Sequence, residues 1–183
     1  MDTKEAIIKL GDALIRDKGF NAFSFYDISR ELGIKNASIH YHFPTKTHLG
    51  LSVIAAHQKQ LEELIKKYSD KDPLLKLKAF LSIYTYTKAE NKVCIVGSLA
   101  TDLHTVDKSI EIELRKLATR ILSWVTEILE EGKSRKVFFF DSPARSKALL
   151  IVTNMLGALQ VSRLTSEKDF NTIKESIIKE LKS

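Results

Sequence analysis

One stretch near the N-terminus decides the fold: Gly33-Ile34-Lys35-Asn36-Ala37-Ser38-Ile39-His40-Tyr41-His42-Phe43-Pro44-Thr45-Lys46. Just before it, Phe25, Ile28 and Leu32 stand on one face of a helix, and the glycine that follows them is the residue that most readily adopts a left-handed turn. The helix after the turn must be short, because Pro44 lacks an N–H and disfavours helical geometry at the residue before it. The sequence therefore predicts two short helices joined by a tight turn.

The second of these helices has an apolar side and a polar side. Ile39 and Phe43 are four residues apart and can pack inward, which leaves their neighbours to face other directions. No acidic residue occurs from Lys35 to Lys46. Two short helices around a glycine turn form a helix-turn-helix, whose second helix fits the major groove of DNA. This stretch is therefore predicted to read DNA.

The order of residues in this region resembles a known family. Its motifs resemble those of the tetracycline-repressor (TetR) family, whose reading helix ends in an aromatic and histidine cluster before a lysine. They cover about the first quarter of the chain, and the remainder agrees with the family in length and helical layout. The matching motifs are Asp27-Ile28, Gly33-Ile34, Ser38-Ile39-His40-Tyr41-His42-Phe43 and Lys46.

The resemblance also implies which residues contact DNA. Sequence is read by side chains that reach base edges, and position is set by contacts to phosphates. Lys35 stands where the family often has a serine or threonine cap, so Asn36 could cap the reading helix instead; His40 stands where a tyrosine is common. The base-facing residues would be Lys35, Asn36, Ala37, Ser38 and His40, the phosphate-facing residues Tyr41, His42 and Lys46, and the DNA-binding set also includes Ser24.

Composition and charge limit the class of protein. The chain has 183 residues, of which 44% are hydrophobic, and its few prolines and glycines favour helices over many turns. No apolar run approaches the roughly 18 to 20 residues of a membrane span, and the first residues show no signal-peptide pattern, so a cytoplasmic protein is expected. The net charge of +6 suits nucleic acid, but the first 48 residues hold seven Lys/Arg against six Asp/Glu. Charge alone therefore does not identify a DNA-binding region.

The chain is predicted to be all-α, with two domains. Residues 1–48 would form the helix-turn-helix DNA-binding domain, and residues 49–183 a helical effector-binding and dimerisation domain. Residues 4–18 have helical spacing, and Ser24 with Asp27 has the pattern of a capping box at the next helix. Thr45 is expected to cap a long helix that runs to about Lys67 and links the domains, so that rotation at one end moves the other.

Three further helices are predicted over 74–89, 94–103 and 110–132. The first is apolar around most of its circumference, which is typical of a buried central helix. A body built around it can hold an effector pocket, although plain core packing explains the same residues equally well. The pocket candidates are Phe80, Tyr84, Cys94, Leu99, Leu103, His104 and Trp124.

Two helices with apolar stripes are predicted to end the chain. Ser142-Pro143 marks the start of one, with serine as cap and proline in the first helical position, and Ser166 caps the other. In the TetR family such a pair packs against its copy in a second chain as a four-helix bundle, which implies a two-fold homodimer; packing within one chain is the alternative. The phenylalanines at 138–140 have no assigned role. The predicted interface residues are Val152, Leu156, Leu159, Phe170, Ile173, Ile177 and Leu181.

Other chemistry finds little support. His40 and His42 point to different sides of a helix and no cluster of cysteines or carboxylates joins them, so no metal and no cofactor are expected. No nucleophile elbow, phosphate loop or paired-carboxylate pattern indicates an enzyme. A redox- or electrophile-responsive regulator stays possible if Lys92 lowers the pKa of the Cys94 thiol; a buried, inert thiol is the other interpretation.

The expected function is a sequence-specific transcriptional regulator, in the form of a repressor released from a palindromic operator by a small-molecule effector. Its expected partners are double-stranded DNA, an effector whose chemistry the sequence does not specify, and a second copy of the chain. A helical small-molecule-binding protein without specific DNA binding is the alternative from another class.

Overall fold

A computed structural model describes residues 2–182, and the predicted all-α fold is confirmed there. The described range contains nine α-helices and one short 3-10 helix, Phe20–Ala22. None of these helices is both long and apolar enough to cross a lipid bilayer. The α-helices are α1 (Thr3–Lys18), α2 (Phe25–Leu32), α3 (Asn36–His42), α4 (Lys46–Tyr68), α5 (Pro73–Ala89), α6 (Ile95–Thr101), α7 (Lys108–Ser134), α8 (Ala144–Val161) and α9 (Glu167–Lys182).

The described chain divides into two compact units. The head unit comprises residues 2–60 and 94–117, and the body unit comprises residues 61–93 and 118–182. The predicted division between residues 48 and 49 does not coincide with a boundary between these units, because α4 continues through it and because the head unit also takes in α6. As a division of function between DNA binding and effector binding, it stays a prediction.

The head unit is built around the apolar faces of α1, α2 and α3 and the first turns of α4. The helical spacing that predicted these elements directs their apolar side chains inward. α1 approaches α4 so closely at Gly11 that a side-chain carbon there would lie 3.1 Å from Leu49. The fully buried side chains of this core include Ile7, Ile15, Ile28, Ile39, Leu49, Val53 and Ile54.

A charged cluster joins α1 to α4 within the head unit. One carboxylate oxygen of Asp12 accepts a hydrogen bond from Arg16 at 2.9 Å, and the other lies 2.6 Å from Nε2 of His57 on α4. Burial acts to raise the pKa of Asp12, but His57 and Arg16 outweigh it, and the pKa lies below its usual value. The cluster therefore ties the two helices together through an ionised carboxylate.

Three helix ends in the head unit form as predicted. The carboxylate of Asp27 accepts the N–H and the hydroxyl of Ser24, each at 2.8 Å, which closes the capping box of α2 and lowers the pKa of Asp27. Gly33 ends α2 in the left-handed conformation, at φ +64°. The hydroxyl of Thr45 accepts the N–H of His48 at 3.3 Å and so caps α4.

Two predicted caps are wrong. Asn36 is the first residue of α3, and Lys35 occupies the N-cap position without a side-chain hydrogen bond. Ala144 is the first residue of α8, and Pro143 occupies its N-cap position, so Ser142 does not cap that helix. A side chain that is able to cap does not by itself determine which residue leaves the helical conformation.

The body unit has an aromatic centre. Phe80 and Tyr84 on α5 meet edge to face with ring centroids 5.4 Å apart, and Phe80 meets Trp124 on α7 at 6.2 Å. All three side chains are buried. Phe138 closes the end of α7, because its buried ring occupies the space that any side chain at Gly132 would need. One of the three phenylalanines without a predicted role is therefore a core residue.

Candidate nucleic-acid interface

α3 separates its residues into a buried side and an exposed side. Ile39 within the helix and Phe43 at its end are buried, as the four-residue spacing predicted. Tyr41 is the most exposed large hydrophobic side chain described in the head unit, at 84%. The predicted DNA-binding residues of this region are exposed at Lys35, Asn36, Ala37, His40 and Tyr41 and half-buried at Ser38 and His42.

Neighbouring aromatic rings orient the histidines of α3. The ring of His40 meets the edge of Phe25 on α2, with centroids 5.0 Å apart. The rings of Tyr41 and His42 meet each other at 5.1 Å. Exposed polar rings of α3 thus lie against neighbouring aromatic side chains.

Sequence reasoning missed one residue at this surface. Thr3, at the start of α1, lines an open depression together with Ala37, Ser38, Tyr41 and His42 of α3. In the sequence it stands just before the helix predicted over residues 4–18, and nothing marked it there as a surface residue. The surface that faces outward from α3 thus includes the beginning of α1.

Lys46 is placed differently from the other predicted contacts. Its ammonium group donates a hydrogen bond to the backbone carbonyl of Phe23 and lies over two aromatic rings, 4.0 Å from the centroid of Phe23 and 4.9 Å from that of Phe20. Burial lowers the pKa of Lys46, against the charges of Asp102 and Asp27, which raise it. This lysine therefore turns toward the interior of the head unit.

The region around α3 lacks acidic residues, although the head unit as a whole is nearly neutral. Residues 32–61 contain no Asp or Glu, whereas the head unit as a whole holds eleven Lys/Arg against ten Asp/Glu. The body unit holds eighteen Lys/Arg against thirteen Asp/Glu, so most of the net positive charge lies there. The absence of acids along α3 and early α4, rather than an overall basic head, makes this surface suitable for phosphates.

The predicted effector-pocket residues fall into both units. Phe80, Tyr84 and Trp124 pack together in the centre of the body unit. The other four belong to the head unit, where Leu99 is buried, Leu103 and Cys94 are half-buried and His104 is exposed. Within the body unit, the structure thus unites only the three aromatic residues.

The Cys94 thiol does not have the electrostatic environment expected of a sensor. Burial raises its pKa, and hydrogen bonds from the backbone of Val96 and Gly97 and the charge of Arg16 offset this only in part. The expectation that Lys92 lowers this pKa is therefore wrong in sign. Cys94 occupies the N-cap position of α6.

The predicted dimer-interface residues are mostly turned toward their own chain. Leu159, Phe170, Ile177 and Leu181 are buried within the single chain, because α8 and α9 pack against each other. Their side chains are not accessible to a second copy, which corrects the prediction for these four positions. Val152, Leu156 and Ile173 are half-buried. The apolar residues that α8 and the turn after it leave exposed are instead Leu149, Leu150, Val161 and Leu164.

The fold and this surface define a class, the helix-turn-helix proteins that bind DNA. The family model for bacterial regulatory proteins of the tetR family matches residues 7–53. The crystal structure of a TetR transcriptional regulator from Legionella pneumophila matches 100% of this chain and 98% of its own, at 32% identity and a TM-score of 0.88. The chain belongs to the TetR family, as the motifs predicted.

Curated relatives point the same way. An uncharacterized HTH-type transcriptional regulator in the lacX 3' region of Lactococcus lactis is 27% identical over 190 residues, which cover 97% of this chain and 94% of that protein. The HTH-type transcriptional repressor NemR of Escherichia coli is 22% identical over 174 residues, 86% of this chain and 82% of NemR. The protein is a DNA-binding transcriptional regulator.

Proposed function

We propose that the protein is a homodimeric repressor that binds a palindromic operator through α3 of each copy and leaves it when a small molecule binds to the body unit. The observation that carries this proposal is the exposed, acid-free side of α3, held against the head core by Ile39 and Phe43. The relative that is named a repressor, NemR, supports the direction of regulation. The chain would act in the cytoplasm and would catalyse no reaction.

The proposed contacts follow from position and chemistry. Side chains near the start of α3, where a reading helix meets the base edges, would select the sequence, and the amide of Asn36 suits adenine. Tyr41 and His42 at the other end would hold phosphates, with Thr3 beside them. Lys46 would add its charge nearby while its ammonium supports the loop at Phe23. The base-facing set remains Lys35, Asn36, Ala37, Ser38 and His40.

The dimer would form through the exposed side of α8. Leu149, Leu150 and Val161 are large apolar residues that this helix leaves exposed, and Leu164 follows its end. Gly157 lies on the same helix with open space where a side chain would stand, so a second helix can come close there. A two-fold contact between this surface and its copy would place the two reading helices so that each binds one half of a single operator.

The effector would be recognised by the apolar and aromatic interior of the body unit. Phe80, Tyr84 and Trp124 are buried there and packed edge to face, so an apolar or aromatic compound would bind by separating these rings. The redox alternative is less well supported, because the pKa of Cys94 is raised and its thiolate correspondingly scarce.

The first test is selection of bound sequences from random duplex DNA by the purified protein, followed by titration of the best site at several salt concentrations. We expect a palindromic site with half-sites one helical turn or a multiple apart. Lys35→Ala should weaken binding and, if its ammonium also reaches a phosphate, reduce the salt slope by about 0.9, the increment for one neutralised phosphate. Lys78→Ala, an exposed lysine of the body unit, is the matched control.

Weak, strongly salt-dependent binding that favours no sequence would contradict the proposal. That outcome would favour a helical small-molecule-binding protein that keeps the head unit as a scaffold. A selected site without two-fold symmetry would contradict the homodimer and leave the reading role of α3 in place.

A further inference from the structure

α6 and the residue that follows it hold one turn of the head unit from two sides. The hydroxyl of Ser98 donates to the carbonyl of Ile15, near the end of α1, at 2.5 Å. One turn further along, the carboxylate of Asp102 accepts the backbone N–H of Phe20 at 2.7 Å. Between these two contacts the chain makes its turn from α1 into the 3-10 helix at Gly19. Two polar side chains, four residues apart, thus hold this turn through one hydrogen bond on each side of it.

The carboxylate of Asp102 lies close against the turn at Gly19. Gly19 has φ +91°, a conformation that other residues rarely adopt, and a side-chain carbon there would lie 3.2 Å from Oδ2 of Asp102. Oδ1 of Asp102 accepts a second hydrogen bond, from the side-chain amide of Asn21 at 3.2 Å. Both oxygens of the carboxylate are therefore used by donors more than 80 positions earlier in the chain.

The position of Asp102 at the end of α6 does not explain why a carboxylate stands there. It follows the last residue of α6, where the carbonyl ends of the helix carry partial negative charge and disfavour a carboxylate. The amide of Asn21 also donates to the hydroxyl of Thr105, at 2.6 Å, which extends the contact beyond the end of α6. The hydrogen bonds to the 3-10 helix, and not the capping of α6, are what this carboxylate provides.

The 3-10 helix held by these hydrogen bonds supports the junction between α3 and α4. Phe20 and Phe23, which begin and follow the 3-10 helix, hold the ammonium of Lys46 between their rings and the Phe23 carbonyl. Lys46 is the first residue of α4, four residues after the end of α3. The negative charge of Asp102 also favours the charged form of this lysine. A continuous set of contacts thus runs from the end of α6 to the first residue of α4, which follows the reading helix along the chain.

We propose that Asp102 is a positioning residue for DNA binding, which holds the 3-10 helix through Phe20 and Asn21 and thereby fixes the orientation of α3. It contacts no base or phosphate in this role. The inference rests on DNA binding by α3 and adds to it a residue at the end of α6 that determines how tightly the head binds.

Asp102→Asn tests this role with little change in shape. The new amide has one oxygen for the Phe20 N–H, but Asn21 must turn its own amide over to accept from the new NH2 group and then no longer donates to the hydroxyl of Thr105. Because one hydrogen bond to a charged group is removed, we expect operator affinity to fall about tenfold, by the same factor on every sequence. The probe is the site selected with the wild-type protein, and Asp141→Asn, at an exposed carboxylate of the body unit, is the control.

Exchanging the two side chains separates positioning from general destabilisation. Asn21→Asp alone puts two carboxylates against each other and should weaken binding more than Asp102→Asn does. In the double variant the amide at position 102 keeps one oxygen for the Phe20 N–H and donates to the carboxylate at position 21. Affinity should therefore return to within about threefold of wild type, since the missing hydrogen bond is replaced. Thermal unfolding of all four proteins shows whether each remains folded at the binding temperature.

Two outcomes would overturn the inference while the wild-type protein still binds its selected site. The first is an affinity for Asp102→Asn equal to that of the wild type. The second is a double variant that regains its unfolding temperature but not its affinity. If the wild-type protein selects no site, the proposed function itself fails and the inference fails with it.

Discussion

The reading helix α3 and the last helix α9 both carry an apolar stripe, and the two stripes have different consequences. In α3, Ile39 packs inward and the opposite side is exposed and polar, as expected for a surface that reads DNA. In α9, Phe170, Ile177 and Leu181 also pack inward, although the stripe was predicted to meet a second chain. An apolar stripe indicates which residues are buried, but not whether the covering helix belongs to the same chain.

The difference shifts the proposed dimer surface to the outer side of α8. Leu149, Leu150 and Val161 remain exposed there after α9 has covered the inner side. Large apolar side chains that stay exposed on one helix can mark a contact with another protein chain. The proposed DNA-binding surface of the head is therefore the polar side of a helix, whereas the proposed dimer surface of the body is an apolar side.

The largest expected effect tests whether the α9 stripe belongs to the core of its own chain. Phe170→Ala should reduce the free energy of unfolding by about 3 to 5 kcal/mol, because it leaves a cavity in a packed interior. Phe139→Ala, at a phenylalanine that is 52% exposed, is the matched control and should change it far less. Both are measured by urea denaturation. A small effect of Phe170→Ala would place this ring outside the core.

The next effect tests which side of α8 a second copy uses. Leu150→Glu would bury a carboxylate in the proposed interface, and we expect the dimer to dissociate about a hundredfold more readily, equivalent to about 2.7 kcal/mol. Sedimentation over a range of concentrations measures this. The control is Leu75→Glu, an exposed leucine on α5. If Leu150→Glu leaves the dimer intact, the interface must lie on another surface.

The smallest effect concerns α3, where function and stability should separate. Asn36→Ala should leave the free energy of unfolding within about 0.5 kcal/mol of wild type, because this side chain is exposed. It should nevertheless alter the discrimination at one base pair by about 1 to 3 kcal/mol. Repeating the selection with this variant identifies the position.

Ile39→Ala on the same helix is the contrasting variant. It should destabilise the head and weaken binding to all sequences alike, because Ile39 is fully buried. If Asn36→Ala also weakened all sequences equally, its assignment to the base-reading side would be wrong.

Most short-range features were predictable because their physical causes are local, although the caps expected of Asn36 and Ser142 did not form. Ser24 with Asp27, Gly33 and Thr45 each act within a few residues, and each helix end they mark forms as expected. The surroundings of Lys46 and Cys94 were not predictable. The carbonyl and rings that hold Lys46 come from more than twenty positions earlier, and the pKa of Cys94 is set by burial rather than by the neighbouring Lys92.

The sequence by itself determined the helical fold, the helix-turn-helix and the family, because helical spacing and glycine turns are properties of adjacent residues. Only the tertiary structure decided which apolar stripe would remain exposed, and it alone joined Asp102 to Phe20. These outcomes depend on which distant segments pack together, since burial and hydrogen-bond partners belong to pairs of elements.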